Sequence, residues 1–433
     1  MLSNLLDCFG KNASEAPTPP RRRPDNIHRM PSNQGFIANK WENLMGLDHW
    51  NGLLDPLDID LRRTLIHYGE MAQATYDTFI SEKYSKYTGA SRYSKRNFFS
   101  KLGLELGRPY KYRVTKFIYA TSGIDVPDAF IFKSLCAESW MKDTNFMGYI
   151  AVAEDETVEL LGRRDIVVAW RGSIQFLEWV NDFQFLQVSA SDILQYDGDD
   201  DDKPKVHHGW YSIYTSDNLC SHFDKTSARD QVLQELTKLV EQYKKEETSI
   251  TVTGHSLGAA LATLNAVDIV ANNINKPKNS KPCLVTSIVF ASPRVGNEGF
   301  KKLASQFDNL RVLRVRNAHD LVPNYPLINY SDVGDELVLD STQSPYLKNP
   351  KTIPCKHDLE VYLHGVAGMH GKQEGSEFKL EVERDIGLIN KSSDYLKDEY
   401  YVPIDWWVQK FKGMVQQFDG SWLLMDHELD DDS

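Results

Sequence analysis

The sequence predicts an α/β protein whose mostly parallel central sheet is covered by helices on both faces. The 433 residues are enough for a full core, with 41% hydrophobic and 25% charged residues. Strand patterns that are almost continuously apolar, such as residues 165–170, are typical of strands buried on both faces. Amphipathic helix patterns alternate with these strands, as the crossover connections of parallel strands require. One large domain is therefore predicted over residues 37–420.

The elements follow one another in this order along the chain. Residues 1–36 are basic and rich in proline, so we expect a disordered arm. A helix pattern with an aromatic stripe covers residues 65–80, and the stripe is expected to pack in the core. Residues 421–433 are expected to form an acidic tail. The predicted strands are residues 114–119, 147–152, 165–170, 249–253, 285–290 and 310–315, and a second amphipathic helix is predicted over residues 228–243.

The pentapeptide Gly-His-Ser-Leu-Gly at residues 254–258 lies between a β-branched run and a helix start rich in small residues. This context is typical of a nucleophile elbow, in which a serine occupies a sharp strand-to-helix turn. Gly254 and Gly258 would leave room for the chain to fold back on itself. Ser256 is therefore the candidate nucleophile, and the predicted architecture is the α/β-hydrolase fold.

A serine hydroxyl needs a base that removes its proton, and the base needs a carboxylate that fixes its tautomer. In this fold the chain order is Ser, then Asp or Glu, then His. Asp320 follows the predicted strand at 310–315 and is the candidate acid, with a turn-capping aspartate as the simpler alternative. His357 precedes an apparent helix start and is the candidate base. His364 would lie about two turns into that helix, where histidine is more often structural, and it remains the alternative.

Acyl transfer also needs donors for the developing oxyanion. The backbone N–H of Leu257 is one candidate, and Ser173, in the turn formed by residues 171–173 after an early strand, is the other. The segment that follows has apolar residues at helical spacing, which would suit a lid, with a core helix as an equal alternative. The lid candidates are Phe176, Leu177, Trp179 and Val180.

Charge and composition limit the partners and the compartment. The net charge of −12 argues against nucleic acid and against electrostatic attraction to anionic membranes, so any membrane contact should be local and apolar. No apolar run is long enough for a transmembrane helix. The five cysteines show no CxxC spacing and imply neither a disulfide framework nor a zinc site. A poor secretory signal and free thiols favour the cytoplasm, with a plastid transit peptide in the arm as the alternative.

Seven short stretches of the chain occur in a distinctive order. They are residues 50–54 (WNGLL), 67–74 (HYGEMAQA), 162–168 (GRRDIVV), 208–214 (HGWYSIY), 254–258 (GHSLG), 291–296 (ASPRVG) and 362–368 (YLHGVAG). Together they resemble the class 3 lipase family and, within it, the plant class II phospholipase A1 group. The resemblance spans residues 40–430, and several independent motifs in one order are not explained by chance.

The resemblance implies hydrolysis of the sn-1 acyl ester of a glycerolipid in the cytosol, without metal or organic cofactor. It places the family's triad on Ser256, Asp320 and His357, and its oxyanion loop on residues 171–173. The expected partner is a glycerolipid held transiently at a membrane or lipid-droplet surface. The head group stays open among phosphatidylcholine, galactolipid, diacylglycerol and monoacylglycerol. Two other classes also stay open: a signalling scaffold that keeps the fold without turnover, and an esterase of small soluble esters or an acyltransferase.

Overall fold

The computed structural model describes residues 37–139, 141–174, 185–369, 378–407 and 414–430. The strands are β1 (Tyr112–Ala120), β2 (Asn145–Ala153), β3 (Arg164–Trp170), β4 (Gln187–Ser189), β5 (Lys205–His207), β6 (Thr248–His255), β7 (Leu284–Phe290), β8 (Leu310–Asn317), β9 (Asp335–Leu339), β10 (Met414–Gln416) and β11 (Trp422–Leu424). The α-helices are α1 (Trp41–Leu44), α2 (Ile59–Asp77), α3 (Phe98–Lys101), α4 (Asp155–Leu161), α5 (His208–Thr215), α6 (Ala228–Gln242), α7 (Leu257–Ala271), α8 (Glu298–Ser305), α9 (Ile353–His357) and α10 (Leu359–Gly368). Short 3₁₀ turns lie at Lys95–Asn97, Asp200–Asp202, Val322–Asn324, Ser341–Gln343, Ile386–Asn390 and Asp398–Tyr400.

A seven-stranded sheet in the order β1-β2-β3-β6-β7-β8-β9 forms the centre of the molecule. The five strands from β3 to β9 run parallel, and β2 and β1 add to them in antiparallel fashion at one edge. Two small antiparallel pairs, β4 with β5 and β10 with β11, lie outside this sheet. The mostly parallel sheet predicted from the sequence is therefore confirmed.

The core lies on both faces of the sheet. Val167 and Ala169 of β3 pack into the core beneath α1, α2 and α10. Their neighbours Ile166 and Val168 pack on the opposite face, with α5, α6 and α7. Because successive side chains of a strand point to opposite faces, a strand buried on both sides must be apolar throughout. This confirms the two-sided helical cover predicted from the sequence.

The helix predicted over residues 65–80 is α2, and it begins earlier than the apolar pattern does. Asp58 caps it, since one carboxylate oxygen accepts hydrogen bonds from the backbone N–H groups of Asp60 at 2.8 Å and Leu61 at 3.0 Å. The helix predicted over residues 228–243 is α6, which Ser227 caps in the same way. Caps of this kind satisfy N–H groups in the first turn, which precedes the apolar stripe of each helix.

The chain after residue 421 makes specific contacts with a segment near the other end of the chain. The Asp426 carboxylate accepts a hydrogen bond from the Ser85 hydroxyl at 2.7 Å. The Asp430 carboxylate accepts one from the backbone N–H of Lys95 at 2.7 Å. The acidic residues predicted as a tail therefore anchor this segment, and the limits of the predicted domain stay a prediction. Among the described residues, none of the helices is both long and apolar enough to cross a bilayer.

Asp165 is a fully buried carboxylate that joins α2, β1, β3 and β6. It accepts hydrogen bonds from the hydroxyls of Tyr68 at 2.9 Å and Tyr112 at 2.8 Å. It also accepts hydrogen bonds from Ser249 at 3.1 Å and Thr251 at 2.8 Å. A buried polar group is stabilising only when its partners are present, so the four donors depend on this one acceptor.

We expect Asp165→Ala to lower the free energy of unfolding by about 3 kcal/mol or more, because it leaves four buried hydroxyls without their acceptor. Urea unfolding followed by circular dichroism measures this change. Asp125→Ala is the matched control, since the Asp125 side chain is 95% exposed and its ion pair with Lys133 is 3.5 Å long. The control should stay within about 0.5 kcal/mol of the parent protein. Equal effects of the two substitutions would contradict the role of Asp165.

Candidate active site

Ser256 occupies the turn between β6 and α7 with φ of 57° and ψ of −124°. An L-residue rarely adopts a positive φ, so the surrounding structure must hold this conformation in place. The backbone N–H of Ser256 donates to the Phe290 carbonyl at 3.0 Å, at the end of the neighbouring strand β7. The turn therefore presents the serine side chain at the carboxyl edge of the sheet.

The two glycines of the pentapeptide are required by close backbone contacts. A Cβ atom on Gly254 would lie 2.3 Å from the carbonyl oxygen of Gly258. A Cβ atom on Gly258 would lie 2.3 Å from the carbonyl oxygen of Trp170, at the end of β3. Backbone atoms this close leave no room for a side chain, so the tight turn from strand to helix needs glycine on both sides of the serine.

The structure brings Ser256, His357 and Asp320 together in one hydrogen-bonded chain. The Nε2 atom of His357 lies 2.9 Å from the Ser256 hydroxyl, and its Nδ1 atom lies 2.7 Å from the Asp320 carboxylate. All three side chains are buried. Because Asp320 accepts from Nδ1–H, the imidazole presents its unprotonated Nε2 to the serine hydroxyl. The arrangement can remove the hydroxyl proton and stabilise the resulting imidazolium.

Two further donors fix the Asp320 carboxylate. One oxygen accepts from the backbone N–H of Val322 at 3.0 Å, and the other accepts from the Tyr362 hydroxyl at 2.7 Å. The Tyr362 oxygen in turn accepts from the backbone N–H of Asn317 at 3.0 Å. Burial and the Asp320 charge raise the pKa of Tyr362 well above its usual value, which keeps the hydroxyl a donor. Tyr362 was not among the site residues predicted from the sequence, although it is the first residue of the stretch at 362–368.

His255, the residue before the serine, links the elbow to the chain segment of His357. Its Nε2–H donates to the His357 carbonyl at 2.7 Å, and its Nδ1 accepts from the Tyr76 hydroxyl at 2.9 Å. Burial and the neighbouring His357 lower the pKa of His255 well below its usual value, so the ring is neutral, as these two contacts require. Tyr76 belongs to the aromatic stripe that was expected to pack in the core. The stripe therefore also supports the site.

The two candidate oxyanion donors lie beside the serine. Leu257 is the first residue of α7, where backbone N–H groups have no partner within the helix. Ser173 follows β3 and lines the same pocket as Ser256 and His357. Within the part of the chain that the structure describes, the backbone N–H groups of Leu257 and Ser173 make no hydrogen bond. Both groups can therefore donate to a negatively charged oxygen at the pocket.

The structure describes His364, the alternative base, but not the lid candidates. His364 lies away from the serine, with its Nε2 2.7 Å from the Ser344 hydroxyl and its ring stacked on Phe378. Burial lowers the pKa of His364 to about 3, which suits a neutral packing residue. The lid candidates Phe176, Leu177, Trp179 and Val180 lie outside the described residues.

The pocket above the serine has a volume of about 240 Å³ and a polar wall formed by α10 and the segment after it. Asp358 caps α10 and is partly buried, and burial followed by the nearby Glu360 raises its pKa to about 7. Glu360 is buried and pairs with Arg384, and it lies 3.8 Å from the ammonium group of Lys391. No lysine or arginine is among the described residues that line this pocket. Arg384 and Lys391 balance the charge of Glu360, so Asp358 is the carboxylate that can place a negative charge on this wall.

The chain is similar in sequence to known lipases and phospholipases. The family model for lipase (class 3) matches residues 167–330. Phospholipase A1-IIgamma of Arabidopsis thaliana is 57% identical over 398 residues, which cover 91% of this chain and 94% of that protein. Phospholipase A1-II 1 of Oryza sativa subsp. japonica is 51% identical over 397 residues, which cover 92% of this chain and 98% of that protein. Among solved structures, the triacylglyceride lipase of Rhizomucor miehei is 20% identical with a TM-score of 0.39, over 64% of this chain and 79% of that one.

We expect Tyr362→Phe to lower kcat for ester hydrolysis on the order of 10-fold while KM stays nearly unchanged. The substitution removes one charge-assisted hydrogen bond to Asp320 and keeps the ring in place. Turnover of a short-chain p-nitrophenyl ester measures both constants. The control is Tyr401→Phe, since Tyr401 is 77% exposed. An unchanged kcat in Tyr362→Phe would contradict a role for this hydroxyl in holding the carboxylate.

Proposed function

Because the chain belongs to the class 3 lipase family, in its phospholipase A1-II group, we propose that it cleaves the sn-1 acyl ester of glycerolipids through an acyl-enzyme on Ser256. Like its relatives, the protein is a carboxylic ester hydrolase that acts on glycerolipids. The observation that carries the proposed role of Ser256 is the continuous hydrogen-bonded chain from Asp320 through His357 to the serine at the elbow.

The first half of the proposed reaction forms the acyl-enzyme. His357 Nε2 takes the hydroxyl proton as Ser256 Oγ attacks the ester carbonyl carbon, and the backbone N–H groups of Leu257 and Ser173 stabilise the oxyanion. The carbonyl then re-forms and the bond to the glycerol oxygen breaks. His357 returns the proton to that oxygen, so the lysolipid leaves as an alcohol and the acyl group remains on Ser256.

The second half releases the fatty acid. A water molecule gives a proton to His357 and attacks the acyl carbonyl, and the same donors stabilise the second oxyanion. When this intermediate collapses, the bond to Ser256 Oγ breaks and His357 returns the proton to the serine. Asp320 stabilises the imidazolium in both halves without accepting its proton. No metal or organic cofactor is needed for either half in this proposal.

The wall of the pocket favours particular head groups. The Asp358 carboxylate borders the pocket, whereas the Glu360 carboxylate is already paired with Arg384 and Lys391. The described lining residues include hydroxyls and an amide but no lysine or arginine. An anionic head group would be repelled by this wall, whereas a neutral or zwitterionic one would not. We therefore propose phosphatidylcholine, galactolipids and di- or monoacylglycerol as substrates in preference to anionic phospholipids.

We also propose that the protein works in the cytoplasm, at the surface of a membrane or lipid droplet that it contacts transiently. This proposal rests on the composition of the chain, namely its net charge of −12 and its few cysteines without CxxC spacing. A plastid location remains the alternative. Microscopy of the full chain with a fluorescent protein at its C-terminus separates the two, since plastid import would give fluorescence within plastids.

We expect Ser256→Ala to lower the release of sn-1 acyl chains on the order of 10³-fold or more without changing the fold, because the nucleophile is lost. Mass spectrometry of products from phosphatidylcholine, galactolipid and diacylglycerol with distinct sn-1 and sn-2 chains measures this. Ser100→Ala, at an exposed position, is the control. Release of sn-2 chains, or full activity of Ser256→Ala, would contradict the proposal. Activity of the parent protein on small esters alone would indicate an esterase, and silence on every ester would indicate a scaffold.

We expect the preference for phosphatidylcholine over phosphatidylglycerol to be larger at about pH 8 than at about pH 6, because Asp358, with its pKa raised to about 7, is charged only at the higher pH. The head-group charges of both lipids are constant over this range. The ratio of hydrolysis rates on mixed vesicles measures the effect. In Asp358→Asn the ratio should be smaller and independent of pH. A ratio that depends equally on pH in both proteins would contradict the role of Asp358.

A further inference from the structure

The two-stranded pair β10 and β11 and the turn between them expose most of their apolar side chains. Residues 414–425, here called the apolar hairpin, contain seven apolar residues and one charged residue, Asp419. The Phe418 side chain at the tip is fully exposed, and Trp422 is 61% exposed. The other exposed apolar residues of the hairpin are Met414, Val415, Leu423, Leu424 and Met425. So many exposed apolar side chains within twelve residues mark a site of interaction.

The turn of the apolar hairpin is held in one conformation, which presents Phe418 at its tip. The backbone N–H of Gln417 donates to the Ser421 carbonyl at 2.7 Å, and that of Gly420 donates to the Gln417 carbonyl at 3.0 Å. The Asp419 carboxylate accepts from the backbone N–H and the hydroxyl of Ser421 at 2.9 Å and 2.6 Å. The one charged side chain of the hairpin therefore forms hydrogen bonds within the turn itself.

The apolar side chains lie on both faces of the apolar hairpin. The register pairs Val415 with Leu423, and these side chains share one face. It pairs Met414 with Leu424, and these lie on the opposite face together with Trp422. An isolated two-stranded hairpin is marginally stable in water, so this one gains from contacts on both sides. A flat protein partner covers one face of such a hairpin, whereas a lipid surface into which it dips surrounds both.

The chain on the N-terminal side of the hairpin is attached next to the candidate active site. The backbone N–H of Trp407 donates to the Lys391 carbonyl at 3.0 Å, and the Lys391 ammonium lies 4.3 Å from the centre of the Trp407 ring. Lys391 directly precedes Ser392, which lines the pocket above Ser256.

The chain on the C-terminal side of the hairpin is attached to the same region. His427, two residues after the hairpin, hydrogen-bonds through Nδ1 to the Ser91 carbonyl at 2.8 Å. The Ser91 hydroxyl lies 2.8 Å from that of Thr78, the residue that follows α2. Tyr76, in the last turn of α2, lines the pocket. The hairpin is therefore anchored on either side to segments that border the pocket.

We propose that the apolar hairpin is the surface by which this protein docks on uncharged or zwitterionic glycerolipid, close to the pocket that receives the ester. The inference rests on the proposed function, since it concerns how the same site reaches its substrate. A net charge of −12 and a hairpin without lysine or arginine give no attraction to anionic lipid, so apolar burial must supply the binding.

The backbone of the hairpin limits how deeply the hairpin can enter the lipid. Its outer edges carry N–H and C=O groups that find no partner in hydrocarbon, and leaving them there would be costly. The aromatic side chains of Phe418 and Trp422 suit the boundary between head groups and acyl chains, where Trp is enriched. The hairpin therefore enters this boundary without crossing the bilayer, so the binding is peripheral and reversible.

The test measures flotation of the protein with vesicles of phosphatidylcholine and diacylglycerol, in a Ser256→Ala background that prevents turnover. We expect the pair Phe418→Ser and Trp422→Ser to lower vesicle partitioning by about 10-fold or more, with little dependence on salt. The matched control is the pair Leu135→Ser and Leu219→Ser, whose side chains are 59% and 77% exposed elsewhere. Partitioning of the hairpin variant equal to that of the control would overturn the inference.

Single substitutions on opposite faces distinguish lipid from a protein partner. Leu423→Ser and Met414→Ser should each weaken partitioning, because lipid covers both faces. Brominated phosphatidylcholine should quench Trp fluorescence, and Trp422→Phe should remove most of that quenching. If the parent protein is a dimer without lipid and only one face is needed for it, the hairpin is a contact between two copies and the inference is wrong.

Activity separates failure of this inference from failure of the proposed function. With Ser256 restored, the hairpin variant should hydrolyse a soluble short-chain ester within about 2-fold of the parent rate, because the hairpin contains no residue of the triad. Its rate on vesicles should fall about 10-fold or more. If the parent protein hydrolyses vesicle lipid and the variant does so equally well, only the docking role fails. If the parent binds vesicles but hydrolyses no ester, only the proposed function fails.

Discussion

The left-handed backbone conformation of Ser256 is the constraint on which the site depends. A serine with φ of 57° places its side chain clear of both the strand that ends and the helix that begins. The conformation is held by backbone contacts so close that residues 254 and 258 must be glycine. It also sets the N-terminus of α7 beside the serine, so the backbone N–H of Leu257, which makes no hydrogen bond among the described residues, lies next to the nucleophile. Nucleophile, oxyanion donor and helix start are thus consequences of one turn.

The acid and the base reach this turn because parallel strands end at the same edge of the sheet. Asp320 follows β8, and His357 lies at the junction of α9 and α10. Residues outside these two segments hold the acid and the base in place. Tyr362 fixes the carboxylate from α10, and His255 fixes the main chain of His357 from the elbow itself. Buried hydrogen bonds of this kind order the imidazole before substrate arrives, which lowers the reorganisation that the reaction would otherwise require.

Buried ion pairs fasten the segment after α10 to helix α2. Lys391 pairs with Asp77, and Arg384 joins Glu70 of α2 to Glu360 of α10. Burying charges is costly, so pairs that stay hydrogen-bonded are weak contributors to stability, but losing one partner is strongly destabilising. The arrangement therefore specifies where the segment lies. The same segment supplies part of the wall of the pocket and precedes the apolar hairpin in the chain, so its position bears on both the proposed head-group preference and the proposed docking on lipid.

Local sequence patterns predicted six of the seven strands of the central sheet, the two-sided helical cover and the elbow, because each depends on residues close together in the chain, whereas β9 was not predicted. The nearly continuous apolar pattern of residues 165–170 predicted that β3 is buried, and five residues with their flanking segments predicted the elbow. Asp320 and His357 were identified by chain order and local position, and the structure places both within hydrogen-bonding distance of their partners. The roles of Tyr76, His255 and Tyr362 were not predicted, because they arise from contacts between residues 42 to 179 positions apart. The Asp358 carboxylate at the pocket wall, the contacts of the C-terminal segment and the exposure of the apolar hairpin likewise depend on the tertiary structure, since burial and charge balance are properties of neighbours in space.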